Sequence, residues 1–155
     1  MDLSDLLTPD AVLASLHAQS KKHALQEVCD VAAKLTGLGE REIFDTILQR
    51  ERLGSTGVGH GVAIPHGKLH SLDRLVGVFA RLIRPVDFEA LDDQPVDLVF
   101  LLLAPESAGA DHLKALARIA RILRDTAVAG KLRAAASSEE IYSILINPAQ
   151  ASHAA

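Results

Sequence analysis

Apolar residues recur along much of the chain at the three- and four-residue spacing that lines one side of an amphipathic helix. This pattern predicts helices over residues 21–36, 40–52, 111–124, 125–134 and 138–146. Serine is a residue type that caps helix N-termini, so we assign Ser20 and Ser138 as caps of the first and last helices. Gly37 and Gly54 are predicted to end the first two, because glycine readily adopts the left-handed backbone found after a helix.

The helix predicted over residues 111–124 has the most regular pattern. We assign its buried stripe to the apolar positions Leu113, Leu116, Ala117, Ala120 and Leu123. This assignment leaves His112 off the buried stripe, in the first turn after a loop. It also makes Asp111 a candidate cap for the helix.

Runs of apolar and β-branched residues predict strands over 12–16, 61–64, 75–83 and 96–103. The last run is almost continuously apolar, which is typical of a strand covered on both faces. Because helices flank the strands along the chain, the pattern predicts an α/β sandwich, and 155 residues fit a single domain. At the ends of the chain we expect a short helical turn within residues 1–11 and a frayed tail over 149–155.

Composition and charge narrow the function classes. The formal net charge is −4 without a Lys/Arg block, and aromatics make up 3% of residues, so neither a nucleic-acid surface nor base stacking is expected. The single cysteine, Cys29, forms no internal disulfide and falls on an apolar helix face, where we expect a buried thiol. The longest apolar run, residues 98–104, is far too short to span a bilayer, and we do not expect the acidic N-terminal residues to form a secretory signal. We therefore expect a soluble cytoplasmic protein.

The segment 57–68 combines four glycines, two histidines and one proline in twelve residues. A helix cannot run through it, and the short strand over 61–64 is expected to stop at Pro65. His66 would then lie just past a strand end, where ligands and reacting groups gather in α/β folds. We interpret His66 as the reacting group, because histidine acts as acid, base, nucleophile or metal ligand near neutral pH. The alternative is a hydrogen-bonded structural histidine.

Successive main-chain amides of a glycine-rich turn can form a concave anion site. The segment is not a dinucleotide fingerprint, because no helix opens after it, and it is not a P-loop, because Gly67-Lys68 lacks a following Ser or Thr. Metal binding is another possible role, with His60, His66 and His70 as candidate ligands and Asp73 as a further one. Their spacings match neither an HExxH motif nor a closed Cys/His site.

Two further residues are candidates for the site. Arg50 lies at the end of the second predicted helix, just before the glycines. A run such as residues 50–52 (RER) usually faces solvent, but a guanidinium is also suited to bind a phosphate or carboxylate as a fork. His112 is the other candidate, and an ordinary surface histidine is the alternative there.

Residues 50–59 read RERLGSTGVG and residues 61–69 read GVAIPHGKL. Together they resemble the active-site signature of the mannitol/fructose-class IIA (EIIA type-2) domains of the bacterial phosphoenolpyruvate-dependent phosphotransferase system (PTS). The resemblance continues through residues 94–98 (QPVDL) and His112-Leu113. It spans residues 3–147, which leaves 148–155 as a tail. Within the family, the residues of the signature are most similar to the nitrogen-regulatory branch. The length of the chain, without a fused permease or carrier domain, points to the same branch. His60 stands where a small polar residue such as Asn is expected.

The resemblance implies a fold, a site and partners. The family fold is a mixed β-sheet with helices packed on both sides. His66 would accept a phosphoryl group on Nε2, as a tele-phosphohistidine, from a phosphohistidine on an HPr-like phosphocarrier, without a metal or other cofactor. His112 would be the second histidine of the site, and Arg50 would bind the phosphoryl oxygens. The phosphoryl group is further expected to be cradled by Ser55, Thr56, Gly57, Gly59 and Gly67.

A neutral imidazole is the required nucleophile, so we expect the Nδ1–H of His66 to donate to a backbone carbonyl and fix the tautomer. Three functions remain open. The first is a regulatory phosphoprotein that binds targets such as potassium-transport components or sensor kinases. The second is a sugar-transport IIA that passes phosphate to a IIB domain. The third is a metal-dependent hydrolase built on His60, His66 and His70.

Overall fold

The computed structural model describes residues 2–153, and side chains through residue 150, so Ala154 and Ala155 of the predicted tail lie outside the described residues. The strands within these residues are β1 (Val12–Leu16), β2 (Gly57–Gly59), β3 (Val62–Ala63), β4 (His66–Leu69), β5 (Val76–Val86) and β6 (Val96–Pro105). The helices are α1 (Lys21–Thr36), α2 (Glu40–Leu53), α3 (Ala110–Arg124), α4 (Thr126–Ala134), α5 (Ser138–Ile146) and α6 (Pro148–His153). Short 3-10 turns span Leu3–Asp5, Pro9–Ala11 and Glu106–Ala108.

The sheet is mixed and has the order β1-β5-β6-β3-β2, with β4 also paired to β6. β5 and β6 are antiparallel and form its centre. β1 runs parallel to β5, and both β3 and β4 run parallel to β6. β2 is antiparallel to β3 and forms one edge of the sheet.

Helices pack against this sheet in two groups. α1 and α2 pack against each other, with α1 on β5 and α2 on β4. α3 contacts β6, α5 contacts β1, and α4 lies between α3 and α5. Every residue of β6 except Asp97 is buried, so both faces of the central strand are covered. The predicted α/β class is confirmed, as is the mixed sheet between helices that the family resemblance implied.

β3 and β4 form one interrupted strand along β6. β3 pairs with residues 98–99, and the ladder resumes with His66 opposite Leu102. Pro65 lies at the break because it has no N–H to donate, although its carbonyl accepts a hydrogen bond from the N–H of Leu102 at 2.9 Å. The predicted strand does end before Pro65, but His66 does not lie in a loop beyond it, because His66 is the first residue of β4.

The buried stripe of α3 differs from the predicted one. The helix buries His112, Ala115, Ile119, Ile122 and Leu123. Leu113 is instead 66% exposed, and Ala117 is exposed as well. The prediction holds for Leu123, which is buried, and for Leu116 and Ala120, which are partly buried against the core. It was wrong for Leu113 and Ala117, because apolar residues occur on more than one side of this helix. Packing on β6 selects the side that carries Ala115 and His112.

Most predicted helix ends are confirmed. The hydroxyl of Ser20 accepts a hydrogen bond from the N–H of His23 at 3.1 Å, and Gly37 ends α1 with a φ of 77°. The predicted cap at Ser138 was wrong by one residue, because the hydroxyl of Ser137 accepts the N–H of Glu140.

Two other predictions about ends were wrong. Gly109, and not Asp111, occupies the N-cap position of α3. Residues 149–153 of the tail expected to fray belong to α6 (Pro148–His153), because proline suits the first turn of a helix and α6 lies against α4 and α5. Across residues 2–153, no helix combines the length and the apolar composition needed to cross a membrane.

Cys29 is fully buried on α1, as predicted. Burial, together with the negative charge of Glu40, raises the pKa of its thiol to about 12. Because the thiolate is the reactive form, this cysteine is a packing residue.

Candidate active site

The imidazole of His66 lies half-buried at the start of β4. Its Nδ1 is 2.8 Å from the carbonyl oxygen of Ile64. A carbonyl oxygen only accepts hydrogen bonds, so Nδ1 carries the proton of the neutral ring and Nε2 carries the lone pair. The expected hydrogen bond from Nδ1–H to a backbone carbonyl is confirmed, and Nε2 is the nitrogen available for chemistry.

α3 brings a second imidazole to His66. The ring centroids of His66 and His112 are 5.7 Å apart, and the ring planes are inclined by 51°. His112 is only 6% exposed, and its Nδ1 is buried with no hydrogen-bond partner among the described residues. Buried nitrogens in this state are uncommon, and a catalytic or binding role is one of the recognised reasons for them.

A cavity of about 600 Å³ includes both rings in its lining, together with Thr46, Gln49, Arg50, Leu53, Gly67 and Lys68. Arg50 enters it from the last turn of α2, and its Nη1 donates to the carbonyl of Gly54 at 3.1 Å. Lys68, on β4, supplies a second cation. Two cations beside two imidazoles favour an anionic ligand of the phosphate or carboxylate type. The structure thus brings Arg50, His66 and His112 together in one cavity.

The surroundings keep both imidazoles neutral near pH 7. Burial is the largest effect on His66 and lowers the pKa of its imidazole below the ordinary value of about 6.5. The hydrogen bond to the Ile64 carbonyl raises this pKa, Arg50 lowers it and Glu51 raises it, and the net change is a lowering. Burial also lowers the pKa of His112, and the neighbouring His66 and Lys68 act in the same direction. Because the unprotonated ring is the nucleophile, this environment suits attack by Nε2.

Ser55 and Thr56, predicted to cradle the phosphoryl group, do not line the cavity. The hydroxyl of Ser55 donates to the carbonyl of Phe88 at 2.6 Å. The backbone N–H and the hydroxyl of Thr56 both donate to the carboxylate of Glu51. The geometry therefore does not support a cradle role for these two residues, because their polar groups are engaged inside the fold.

The glycines divide in the same way. Gly57 and Gly59 belong to β2, the edge strand, and do not line the cavity, so the geometry does not support the predicted cradle role for them either. Gly67 does line it. A Cβ at Gly67 would lie 3.0 Å from Cγ2 of Thr46, so glycine lets α2 pack close to β4 and brings Arg50 towards His66.

The residues considered as metal ligands do not form one site. His60 lies in the turn between β2 and β3, where its N–H donates to Asp92. His70 is exposed, with its Nδ1 3.3 Å from Oε2 of Glu106. Among the described residues there is no cluster of three or more His, Cys, Asp or Glu side chains that could hold a metal ion. No observation favours the hydrolase hypothesis.

Sequence reasoning missed three contributors to this site. Lys68 belongs to the signature and lines the cavity, although its residue type alone indicates no role. Ile64 supplies the carbonyl that fixes the His66 ring, which depends on the backbone path and leaves no signal in residue type. Glu51 was expected to face solvent in the run 50–52, yet it is buried and ion-paired with Lys21 at 2.8 Å.

Comparison with known families accounts for nearly all of the chain. Residues 5–147 match the family model described as "Phosphoenolpyruvate-dependent sugar phosphotransferase system, EIIA 2". The chain belongs to this family. The family places the cavity around His66 in a phosphotransfer component of the PTS, which agrees with the resemblance seen in the sequence.

Curated relatives of this EIIA chain are named for nitrogen regulation. It is 62% identical over 148 residues to "Nitrogen regulatory protein" of Bradyrhizobium diazoefficiens, covering 96% of this chain and 97% of the relative. It is 45% identical over 146 residues to the protein of the same name from Escherichia coli, covering 94% and 90%. A "PTS system fructose-specific EIIA component" from Haloferax volcanii is 34% identical, covering 94% and 97%.

Solved structures confirm the fold. The crystal structure of nitrogen regulatory protein IIA-Ntr from Neisseria meningitidis superposes with a TM-score of 0.89 at 34% identity, covering 92% of this chain and 98% of that one. The crystal structure of IIA mannitol from Escherichia coli gives a TM-score of 0.75 at 23% identity, covering 89% and 97%, and this likeness concerns the fold alone.

Proposed function

We propose that this protein is a phosphoryl-accepting regulatory component of a nitrogen-related PTS. Nε2 of His66 accepts the phosphoryl group from a phosphohistidine on an HPr-like carrier. The free and phosphorylated forms then differ in the target proteins that they bind, potassium-transport components or sensor kinases being the kinds of target that the family resemblance suggests.

One observation carries the proposal. Nδ1–H of His66 is held by the Ile64 carbonyl in a cavity that also contains Arg50 and His112. The ring is therefore held in the tautomer whose lone pair is on Nε2, beside a guanidinium suited to phosphoryl oxygens. Such an arrangement supports nucleophilic attack by Nε2 on a phosphoryl group presented by a docked donor.

The transfer balances within these groups. The lone pair of Nε2 forms the new N–P bond while the N–P bond of the donor breaks, and that electron pair returns to the donor nitrogen. The Nδ1 proton stays on His66, where the Ile64 carbonyl stabilises the positive charge that the ring acquires. Arg50 stabilises the charge on the phosphoryl oxygens in a loose transition state.

A regulatory role and a sugar-transport role use the same site, so the site alone does not separate them. The higher identity to relatives named nitrogen regulatory protein favours the regulatory role. Phosphorylation adds about −1.5 to −2 charge at pH 7, which is enough to change what docks at the cavity. The exposed Leu53 in the cavity lining belongs to the surface that this charge would alter.

Reconstitution tests the proposal. The protein is mixed with phosphoenolpyruvate, enzyme I and an HPr-type carrier, and any acid-labile phosphate is mapped. We expect one label, on His66, which is lost in His66→Ala. His70→Ala is the matched control, because His70 is exposed and outside the cavity, and it should label like the unmodified protein.

The outcomes separate the candidate functions. Absence of any label, or a label that persists in His66→Ala, would contradict phosphoryl acceptance at His66. Onward transfer from the labelled protein to a purified fructose- or mannitol-type IIB domain would favour sugar transport instead. Retention of the label in the presence of IIB domains supports the regulatory role.

A further inference from the structure

A charged cluster is centred on the buried Glu51 of α2, the residue after Arg50. The Glu51 side chain is 2% exposed and its Oε2 is 2.8 Å from Nζ of Lys21. The same Oε2 accepts the N–H of Thr56 at 3.2 Å, and Oε1 accepts the Thr56 hydroxyl. The cluster therefore joins α1, the end of α2 and the start of the glycine-rich segment through one carboxylate.

Two paths lead from this carboxylate to the reacting groups. Along the first, the carbonyl of Thr56 accepts the N–H of Ile64 at 3.0 Å, and the carbonyl of Ile64 accepts Nδ1–H of His66 at 2.8 Å. Along the second, Glu51 is followed on α2 by the turn at Gly54, whose carbonyl accepts Nη1 of Arg50. The nucleophile and the phosphoryl-binding cation are thus both tied to segments that Glu51 holds together.

The cation partner of Glu51 is itself held in place. Nζ of Lys21 lies 3.3 Å from the carbonyl of Phe88 and 5.5 Å from the centroid of the Phe88 ring. A buried carboxylate is costly unless it is paired and fully hydrogen-bonded, and this one has a cation, an amide and a hydroxyl as partners. A network satisfied in this way is rigid and specifies one arrangement of its segments.

We propose that Glu51 is a positioning residue for phosphoryl transfer, which ties Thr56 to the end of α2 and so holds the Ile64 carbonyl and Arg50 in place around His66. This inference rests on the proposed function of His66. Nothing in the site chemistry assigns Glu51 a contact with the phosphoryl group, and it acts through the residues that it holds.

The charge of Glu51 gives the proposal a readout that simple structural support would not move. The charged and titratable groups around His66 are Arg50 and Glu51 from α2, Lys68 from β4 and His112 from α3. Among the effects on His66, that of Glu51 raises the pKa of the imidazole. Removing this charge while keeping the side-chain shape should lower the pKa of His66 and move the acid limb of its reactivity to lower pH.

The experiment compares Glu51→Gln with the matched control Glu42→Gln, an exposed carboxylate on the same helix. Initial labelling rates by the phosphorylated HPr-type carrier are measured from pH 5 to 8. NMR of the His66 ring nitrogens, titrated over the same range, gives tautomer and pKa. We expect Glu51→Gln to label about tenfold more slowly at pH 7.5, with its acid limb at lower pH. Glu42→Gln should match the unmodified protein in both its labelling rate and the position of its acid limb.

If Glu51→Gln fails to fold, the variant Thr56→Val tests the same link. It removes only the hydroxyl that donates to Glu51 and keeps the amide contact. We expect it to label more slowly than the unmodified protein. Two results for a folded Glu51→Gln would overturn the proposal. The first is a labelling rate and an acid limb equal to those of the unmodified protein. The second is a slower labelling rate with no shift in the acid limb or in the titration of the His66 ring. A Thr56→Val that labels normally when Glu51→Gln does not fold would also overturn the proposal. If the unmodified protein accepts no label, the proposed function fails instead, and the ring titrations of the two glutamine variants still test the Glu51 link.

Discussion

The two ring nitrogens of His66 lie in different environments, and this difference sets what the residue can do. Nδ1 is bound to the Ile64 carbonyl at 2.8 Å, while the ring is only half-buried. The tautomer and the ring orientation are therefore already set in the free protein, which would reduce the reorganisation required by the proposed transfer. Burial and the nearby guanidinium of Arg50 both lower the pKa of this imidazole, so the ring is neutral at physiological pH.

Arg50→Ala tests the cation of the site. We expect labelling about 100-fold slower, which is the typical cost of removing one charge-stabilising donor from a transition state. Arg50 also lowers the pKa of His66, so its removal raises that pKa, protonates the ring at higher pH and shifts the acid limb of the rate profile upward. This shift is opposite in sign to the one expected for Glu51→Gln.

Arg52→Ala is the control for Arg50→Ala, because Arg52 is exposed on the same helix and outside the cavity. Circular dichroism and thermal unfolding should show both variants folded. Equal labelling rates and equal acid limbs for the two alanine variants would contradict a role for Arg50 in the transfer.

Among the elements, the glycine-rich segment is shaped as an edge hairpin followed by an interrupted strand. Its turn at His60 is held by α4, because Nη2 of Arg133 donates to the His60 carbonyl at 2.8 Å and to Oδ1 of Asp97 at 2.9 Å. His60 has a φ of 56°, a conformation that asparagine also adopts readily. The histidine at this position is thus a turn residue, away from the cavity around His66.

Gly61→Ala tests this turn. Gly61 has a φ of +80°, and a Cβ there would lie 2.6 Å from Nη2 of Arg133 and 2.9 Å from Oδ1 of Asp97. Both the backbone conformation and the contact disfavour a side chain, so we expect the free energy of unfolding to fall by more than about 1 kcal/mol. The measurement is urea unfolding followed by circular dichroism.

The control for Gly61→Ala is Gly130→Ala, in α4. A Cβ at Gly130 meets nothing within 4 Å, so alanine should stabilise the protein by about 0.5–1 kcal/mol through helix propensity. If Gly61→Ala had the same free energy of unfolding as Gly130→Ala, that result would contradict the described contact of Arg133 in α4 with the hairpin turn.

The sequence predicted the bounds of the helices better than it predicted the buried faces of the helices or the short strands. α1 was predicted with its bounds and its serine cap, because periodicity and capping are local signals. The inward side of α3 was only partly right, because apolar residues on several sides leave the choice to the strand beneath. β4 was missed because residues 66–69 (HGKL) have little strand propensity, and pairing with β6 alone makes them a strand.

For the whole molecule, β6 is the element that assembles the site. It pairs with β4 on one side and continues through Pro105 and a short turn into α3. His66 lies opposite Leu102 near the carboxyl end of β6, and His112 is in the first turn of the helix that follows. Two histidines that are far apart in the sequence, with β5 and β6 between them, therefore meet at one end of the central strand, where α/β folds place their sites.

The sequence identified the three residues that the structure brings together in this cavity, but not the groups that support them. His66, Arg50 and His112 stand out by residue type within a specific signature. The acceptor at Ile64 and the burial of Glu51 depend on how distant backbone segments pack, which residue type does not reveal. The cradle expected at Ser55, Thr56, Gly57 and Gly59 lacks support from the geometry, since these residues do not line the cavity. Glycine spacing alone is the same for a tight hairpin and for an anion-binding turn.

The most direct test of the account is the identity of the phosphorylated nitrogen. The protein is prepared with ¹⁵N-labelled histidine, phosphorylated through the HPr-type carrier and studied by ³¹P and ¹⁵N NMR. We expect a one-bond coupling between phosphorus and Nε2 of His66, with the proton retained on Nδ1. A phosphorus–Nδ1 bond on His66, or phosphate on any other residue, would contradict the account, because the Ile64 carbonyl occupies Nδ1 in the structure.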